Sequence, residues 1–181
     1  CGHSRGGKAS LLAGAFDERF AVVVSNASGA GGSGCWRFQA EGAEPLESIV
    51  KAFPTWFSSR FLCYATQMEA LPFDLHFLKA LCAPRPLLAS EGLGDSWANP
   101  AGACVTHDAA REAYRLLGCS DDLVALHFRN GGHGHLISDW TAMLDFCDSC
   151  FFGKTLPWDP LYKPYDGLPS PFDRCPTKAG G

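Results

Sequence analysis

Three features that would assign the chain to common functional classes are missing from its sequence. No apolar run reaches the roughly 18 residues that a membrane-spanning helix needs. No cluster of Lys and Arg stands out among the 15 basic and 19 acidic residues, which give a net charge of −4. The nine cysteines are odd in number and show no repeated pair spacing of the kind found in zinc sites. We therefore expect no nucleic-acid, membrane or zinc partner.

Length and composition fit one globular α/β domain. At 181 residues and 46% hydrophobic content, the chain can bury most of a core. Helical and β-branched segments alternate along it, which predicts a parallel sheet flanked by helices. The expected helices are residues 7–16, 75–81, 106–117 and 138–152, and the expected strands are residues 20–25, 86–90 and 123–128. Thr106 is predicted to cap the third helix, and Gly118 to follow its end.

Two stretches lie outside this alternation. Residues 36–72 lack periodicity but contain many aromatic side chains, so we interpret them as an inserted region of helices and loops above the sheet. From residue 153 onward, frequent prolines and little periodicity predict an extended tail. The expected organisation is a catalytic part over residues 1–155 and a tail over residues 156–181. The Cys147-x-x-Cys150 pair falls on the last predicted helix beside phenylalanines, so we interpret it as packing rather than redox chemistry.

The chain opens on a Gly-x-Ser-x-Gly motif, residues 2–6, followed at once by a helix-like segment. This pattern is typical of a nucleophile elbow, a tight strand-to-helix turn in which glycines avoid clashes with neighbouring backbone. Ser4 is therefore the first candidate for a nucleophile. Because a strand from the middle of a sheet normally carries such a serine, and only three residues precede it, we expect the C-terminal half of an α/β-hydrolase fold, truncated at its N-terminus.

The other members of a hydrolytic triad occur in the order that this fold requires, with the acid second and the histidine third. Asp95 lies in the loop after the strand at 86–90, and His133 lies in the glycine-rich loop after the strand at 123–128. Function in parallel sheets is found at the carboxyl ends of the strands, where these loops begin. An imidazole there can take the serine proton, and a carboxylate can fix the tautomer of that imidazole.

Two of these assignments, the acid and the base, have alternative candidates. Glu91 is the nearest substitute for the acid, since Asp95 in a Gly-Asp-Ser sequence could simply favour a turn. His135 is the rival of His133 as the base. The His-x-His pair could also indicate a metal, but no further ligands occur at metal-site spacing, so no metal is expected. His76 precedes a predicted helix and is interpreted as structural.

Arg5 and Lys8 lie in the first turn of the elbow helix. The helix dipole disfavours a cation there by roughly 0.3–1 kcal/mol. A residue that breaks a local stability rule is expected where function requires it, so two cations beside the nucleophile indicate an anionic or uronate-like substrate and a stabilised oxyanion. The alternative is that both are ordinary solvated side chains.

These segments together resemble the glucuronoyl esterases of carbohydrate esterase family 15. Residues 2–8, Gly-His-Ser-Arg-Gly-Gly-Lys, are similar to the family's Gly-x-Ser-Arg-x-Gly-Lys elbow. The likeness continues in the family's order through residues 28–37, 56–57, 71–76, 83–86, 95–97 and 139–140. It covers about residues 1–155.

The resemblance implies a serine esterase that cleaves the ester between 4-O-methyl-glucuronate on xylan and lignin alcohols, without cofactor or metal. It assigns Arg5 to the oxyanion hole, Lys8 to sugar hydroxyls and Trp97 to the wall of the uronate pocket. It also implies a secreted or periplasmic setting, and we expect a monomer. The alternatives are an esterase for another acylated carbohydrate and a carbohydrate-binding relic without catalysis.

The sequence departs from the fungal members at two places. Fungal members carry the acid where this chain has Ala27, so the carboxylate must come from elsewhere, and Asp95 fits the bacterial-type arrangement. Fungal members also pair a Cys before the nucleophile with a Cys after the histidine. Those positions are His3 and, if His135 were the base, Leu136, so that disulfide cannot form. The bacterial-type pattern His-x-Arg-x-Gly-x-His followed by Asp-Trp fits residues 127–140 and favours His133.

Overall fold

The computed structural model describes residues 1–170, without the side chain of residue 69. Within that range the strands are β1 (Gly2–His3), β2 (Val23–Asn26), β3 (Leu87–Gly92) and β4 (Val124–Arg129), and the α-helices are α1 (Arg5–Phe16), α2 (Leu46–Ala52), α3 (His76–Ala80), α4 (Pro100–Leu116) and α5 (Ile137–Phe152). None of the helices in residues 1–170 is both long and apolar enough to cross a membrane. Cys175 and the predicted tail beyond residue 170 lie outside the described residues.

The four strands form one parallel sheet in the order β1-β2-β3-β4. The register places His3 beside Asn26, Asn26 beside Ser90, and Ser90 beside His127. The carboxyl ends of all four strands therefore meet along one edge of the sheet, where the loops that follow them can bring distant residues together. The predicted parallel sheet flanked by helices is confirmed.

Both faces of the sheet are buried, because neighbouring residues along each strand enter different apolar clusters. Leu87 joins a cluster with Leu11 of α1 and Tyr114 of α4. Leu88 joins another cluster with Phe146 of α5, against which Cys150 also packs. Since successive side chains of a strand point to opposite faces, α1 and α4 cover one face and α5 covers the other. This two-sided burial explains why the strands read as continuous apolar runs.

The structure corrects the predicted start of α4. The helix begins at Pro100, and Asn99 caps it by accepting a hydrogen bond from the Gly102 N–H at 3.0 Å. Thr106 is inside the helix, where its hydroxyl donates to the Ser33 carbonyl at 2.7 Å, so its predicted role as a cap is wrong. An Asn-Pro pair is a strong start signal because proline at the first helical position lacks only an N–H that would be unpaired anyway. At the other end, Gly118 follows the helix with a φ of +73°, as predicted.

The inserted region consists of α2 and short 3-10 turns, such as Pro54–Trp56, around a small apolar core of its own. Trp36, Leu46 and Ile49 are buried in that core. Its loops approach the carboxyl edge of the sheet, where Glu44, Phe53 and Trp56 line the same pocket as Ser4. The region therefore supplies one wall of the candidate site.

A buried lysine connects three elements below that edge. Lys79 of α3 is fully buried, and its ammonium contacts the Ser33 carbonyl at 2.8 Å, the Thr106 hydroxyl at 2.6 Å and Nδ1 of His107 at 2.5 Å. Burial lowers the pKa of Lys79 to about 7, although the carboxylate of Glu91 opposes that shift. These contacts tie α3 and α4 to the glycine-rich loop after β2.

Replacing Lys79 with methionine is expected to lower the free energy of unfolding by about 3 kcal/mol. The change leaves the buried acceptors on Thr106 and His107 without their donor, and each such loss costs roughly 1–3 kcal/mol. Urea or thermal denaturation measures the loss. Lys51→Met, at an exposed lysine of α2, is the matched control and should change stability by less than about 0.5 kcal/mol. Equal effects of the two substitutions would contradict the structural role of the Lys79 contacts.

Candidate active site

Ser4 lies at the turn between β1 and α1 in a strained backbone conformation. Its φ of 54° and ψ of −121° are rare for a residue with a side chain. The Ser4 N–H donates to the Asn26 carbonyl at 2.8 Å, which extends the β1–β2 pairing to the serine itself. The strain is therefore held by the sheet on one side and by the first turn of α1 on the other.

The glycines around Ser4 do not all serve the same purpose. A Cβ on Gly2 would lie 2.2 Å from the Gly6 carbonyl oxygen, and a Cβ on Gly7 would lie 2.9 Å from Cβ of Ser28. A Cβ on Gly6 would meet nothing within 4 Å. The predicted clash thus applies to Gly2 but is wrong for Gly6; the second close approach occurs one residue later, where α1 passes the loop after β2.

The three residues of the predicted triad are brought into hydrogen-bonding contact. Nε2 of His133 lies 2.9 Å from Oγ of Ser4, and Nδ1 of His133 lies 2.6 Å from Oδ2 of Asp95. Asp95 is 4% exposed, whereas the His133 side chain is 44% exposed. Because a carboxylate can only accept, Nδ1 carries the proton and Nε2 is free to accept the serine proton.

The loop that carries His133 is fixed through its backbone. The Arg129 guanidinium, at the end of β4, donates to the carbonyls of Gly132 at 3.1 Å and Gly134 at 2.5 Å, the two neighbours of His133. Its Nε pairs with the buried Asp139 at 2.7 Å. Burial opposes ionisation of Asp139, but hydrogen bonds from Ser90, the Leu136 N–H and Arg129 outweigh it and lower the pKa of this carboxyl. The result is a charged pair that holds the loop.

The rival residues lie elsewhere. His135 stacks on Trp140 with ring centroids 4.4 Å apart, and Ser4 contacts His133 instead. Glu91 is fully buried, and its carboxylate lies near the Ser33 hydroxyl without a well-formed hydrogen bond to any residue in the described range. Burial raises the pKa of Glu91 to about 8. Within residues 1–170, no three His, Cys, Asp or Glu side chains are grouped so that they could hold a metal ion.

A pocket of about 290 Å³ opens beside Ser4. This volume is close to the lower limit of roughly 300 Å³ that is usual for small-molecule sites. Charged and aromatic side chains line it together with two residues of the predicted triad: Ser4, Lys8, Glu44, Phe53, Trp56, Trp97 and His133. Trp97 lines the pocket and is 53% exposed.

Lys8 and Glu44 are the charged groups of the pocket. The Lys8 ammonium donates to the Ser28 carbonyl, and burial lowers the pKa of Lys8, while Glu44 and Glu91 oppose that shift. Burial raises the pKa of Glu44, with Lys8 and a hydrogen bond from Trp97 opposing. The Glu44 N–H also donates to the Trp97 carbonyl at 3.0 Å. Sequence reasoning missed Glu44, because an acidic residue in an aperiodic insertion carries no motif.

Arg5 extends from the first position of α1 toward the inserted region. Its guanidinium carbon lies 5.4 Å from the centroid of the Trp56 ring, within the range of a cation–π contact. Phe53 also stacks on Trp56, with ring centroids 4.0 Å apart and an interplanar angle of 9°. Arg5 is therefore held beside the pocket by aromatic side chains.

The parallel sheet with a serine on a strained strand-to-helix turn defines part of an α/β-hydrolase fold. A family model described as glucuronyl esterase of fungi matches residues 1–118. A carbohydrate esterase, MZ0003, from an unknown prokaryotic organism is 39% identical over 81% of this chain and 37% of its own length. 4-O-methyl-glucuronoyl methylesterase 1 from Wolfiporia cocos is 34% identical over 91% of this chain and 38% of its own length.

A solved family 15 glucuronoyl esterase from Caldicellulosiruptor kristjansonii superposes with a TM-score of 0.85 at 38% identity, covering 91% of this chain and 45% of that one. The chain belongs to the glucuronoyl esterase family, carbohydrate esterase family 15. It spans less than two fifths of the length of these two curated relatives.

Proposed function

We propose that the protein is a serine esterase that hydrolyses 4-O-methyl-glucuronoyl esters between xylan and lignin alcohols. The observation that carries this proposal is the hydrogen-bonded series Ser4, His133 and Asp95, which borders a pocket containing the Lys8 ammonium. The name of the Wolfiporia cocos relative, a 4-O-methyl-glucuronoyl methylesterase, supports the substrate class. We further propose that residues 1–155 form the catalytic part, that residues 156–181 form a tail, and that the protein acts as a secreted or periplasmic monomer.

In the proposed reaction, Oγ of Ser4 attacks the carbonyl carbon of the ester while its proton moves to Nε2 of His133. Asp95 stabilises the resulting imidazolium through Nδ1. The tetrahedral intermediate then collapses, the C–O bond to the alcohol breaks, and His133 returns the proton to the leaving alcohol oxygen. Water repeats the sequence on the glucuronoyl-serine ester, so that uronic acid is released and Ser4 regains its proton.

Charge on the tetrahedral oxygen is stabilised from the start of α1. The first N–H groups of a helix have no partner within the helix and point outward from its positive end. Arg5, held beside the pocket by Trp56, adds a full positive charge near the developing oxyanion. Lys8 is assigned to the sugar hydroxyls, and Trp97 is assigned to the apolar face of the uronate ring.

A substrate comparison tests this function. A benzyl glucuronate ester should be hydrolysed at a kcat/KM at least tenfold above that of an acetylated sugar. A preference for the acetyl ester would instead assign another acylated carbohydrate. Labelling by a serine-reactive phosphonate, located by mass spectrometry, addresses the non-catalytic alternative, since only an activated hydroxyl at Ser4 should react. An unlabelled Ser4 in the folded protein would refute the esterase proposal.

Lys8→Met is expected to raise KM for the benzyl glucuronate ester by roughly ten- to a hundredfold, because a charge-assisted hydrogen bond contributes about 1.5–3 kcal/mol. Hydrolysis of a small acetyl ester that cannot reach Lys8 should change less than about threefold, since Ser4 and His133 are untouched. Steady-state kinetics on both esters measure the difference. Lys51→Met, on the exposed side of α2, is the matched control. Equal losses on both esters would contradict a binding role for Lys8.

A further inference from the structure

Four aromatic rings lie in a row beside the nucleophile. His3 is 4.7 Å from His133 between ring centroids and 5.4 Å from His135, and His135 in turn stacks on Trp140 at 4.4 Å. The row therefore runs Trp140, His135, His3, His133, and it is called the ring row below. It joins β1 to the His133 loop and to the first turn of α5. His3 takes no part in the proposed proton transfer between Ser4 and His133.

The orientation of the His3 ring is set by the sheet. His3 pairs with Asn26 in the parallel register, so that their side chains lie next to each other. The Asn26 amide nitrogen donates to the Ser90 carbonyl at 3.1 Å, which leaves its oxygen, Oδ1, facing Nδ1 of His3 at 2.6 Å. Because that oxygen can only accept, Nδ1 of His3 carries a proton and donates it. Asn26 is 1% exposed, so this bond fixes the ring from a rigid, buried partner.

His133 depends on such support. Its side chain is 44% exposed, and it lies in a loop with glycine at positions 131, 132 and 134. Hydrogen bonds to Asp95 and Ser4 engage the two nitrogens at the edge of the ring, and neither of them packs against a face of the ring. When Ser4 attacks, the hydrogen bond between its Oγ and Nε2 of His133 is lost. The imidazolium is then held in place by the hydrogen bond to Asp95 and by packing. A ring in close contact with His133, such as that of His3 at 4.7 Å between centroids, restricts the motion of the imidazole.

We propose that His3 is a positioning residue for the base: its ring, fixed by Asn26, holds the imidazole of His133 in line with Ser4. This inference rests on the proposed esterase mechanism. It assigns the effect to the ring of His3 rather than to its hydrogen bond, because it is the ring that contacts His133, tilted by 42° with the centroids 4.7 Å apart. His135 also contacts the His3 ring, at 5.4 Å between centroids, and stacks on Trp140, so the contacts continue into α5.

Two complementary substitutions separate the ring from the hydrogen bond. His3→Phe keeps a ring but cannot donate to Asn26, whereas His3→Gln can donate to Asn26 but has no ring. We expect His3→Gln to lower kcat by about ten- to a hundredfold with KM changed less than threefold, the size of loss that a small misplacement of a catalytic group causes. His3→Phe should stay within about fivefold of the wild type. His76→Gln, at a half-buried histidine of α3 away from the site, is the matched control and should leave kcat unchanged.

Two readouts do not require the uronate ester, so that a wrong substrate and a wrong role for His3 are distinguishable. The rate constant for phosphonate labelling of Ser4 should fall in His3→Gln by the same factor as kcat. The low-field proton resonance of the His133–Asp95 hydrogen bond should broaden in His3→Gln and persist in His3→Phe. Thermal melting checks folding, and His3→Leu replaces His3→Gln if that variant melts below the assay temperature. Wild-type labelling rates in the ringless variants, or equal losses in His3→Phe and His3→Gln, would overturn the proposal.

Discussion

Ser4→Ala is expected to lower kcat/KM for the benzyl glucuronate ester by about ten-thousandfold or more. Removing a serine nucleophile leaves only the binding and electrostatic contributions of the site, and losses of roughly 10⁴ to 10⁶ are usual for such changes. The loss is large because, without Oγ, the Nε2 of His133 has no hydroxyl to deprotonate and the ester has no nucleophile to attack it. The loss is measured from the rate at which the purified variant releases the alcohol from the ester.

Ser10→Ala is the matched control for that experiment. Ser10 is on the same helix, and its hydroxyl donates to the Gly6 carbonyl at 2.9 Å without contacting His133. Its removal should change kcat/KM by less than about threefold. Retention of more than a hundredth of the activity in Ser4→Ala would mean that another nucleophile performs the reaction.

Asp95→Asn is expected to lower kcat by about ten-thousandfold while leaving the fold intact. An amide in place of the carboxylate can present N–H to the imidazole, which favours the tautomer with the proton on Nε2, where it cannot accept from Ser4. The 2.6 Å contact between Nδ1 and Oδ2 and the burial of Asp95 make this site sensitive to the change. Steady-state kinetics measure kcat, and circular dichroism confirms that the variant is folded.

Two further substitutions make the result specific. Asp122→Asn, at an exposed acid outside the site, should leave kcat unchanged. Glu91→Gln tests the alternative acid and should keep kcat within about tenfold, since the Glu91 carboxylate makes no hydrogen bond to His133 within residues 1–170. A loss of ten-thousandfold in Glu91→Gln together with a small loss in Asp95→Asn would reverse the assignment of the acid.

The sequence predicted the structure best where a steric constraint allows only one type of residue. Only glycine tolerates the 2.2 Å approach at position 2, so the elbow motif could be recognised without a structure. The loops carrying Asp95 and His133 could be predicted to meet because each follows a strand of one parallel sheet. The preference for His133 over His135 came from a family pattern; in the structure the Ser4 hydroxyl donates to Nε2 of His133 at 2.9 Å, whereas His135 stacks on Trp140.

Features that depend on tertiary contacts were not predictable. Glu44 enters the pocket because the inserted region supplies one of its walls, and nothing local to an Ala-Glu-Pro sequence indicates that position. The start of α4 was predicted six residues late because Thr106 has the chemistry of a cap, although its hydroxyl bonds to the distant Ser33 carbonyl instead. The contacts of Lys79 likewise join α3, α4 and the loop after β2 across the fold.

The way in which Arg129 anchors the His133 loop has a consequence for redesign. The guanidinium donates hydrogen bonds to main-chain oxygens. These bonds therefore do not depend on the identity of the side chains in the loop. A Cβ at position 132 would meet nothing within 4 Å, whereas position 131 has a φ of +104° that demands glycine. Position 132 is thus a place where a side chain can be introduced next to His133 while the imidazole keeps its location.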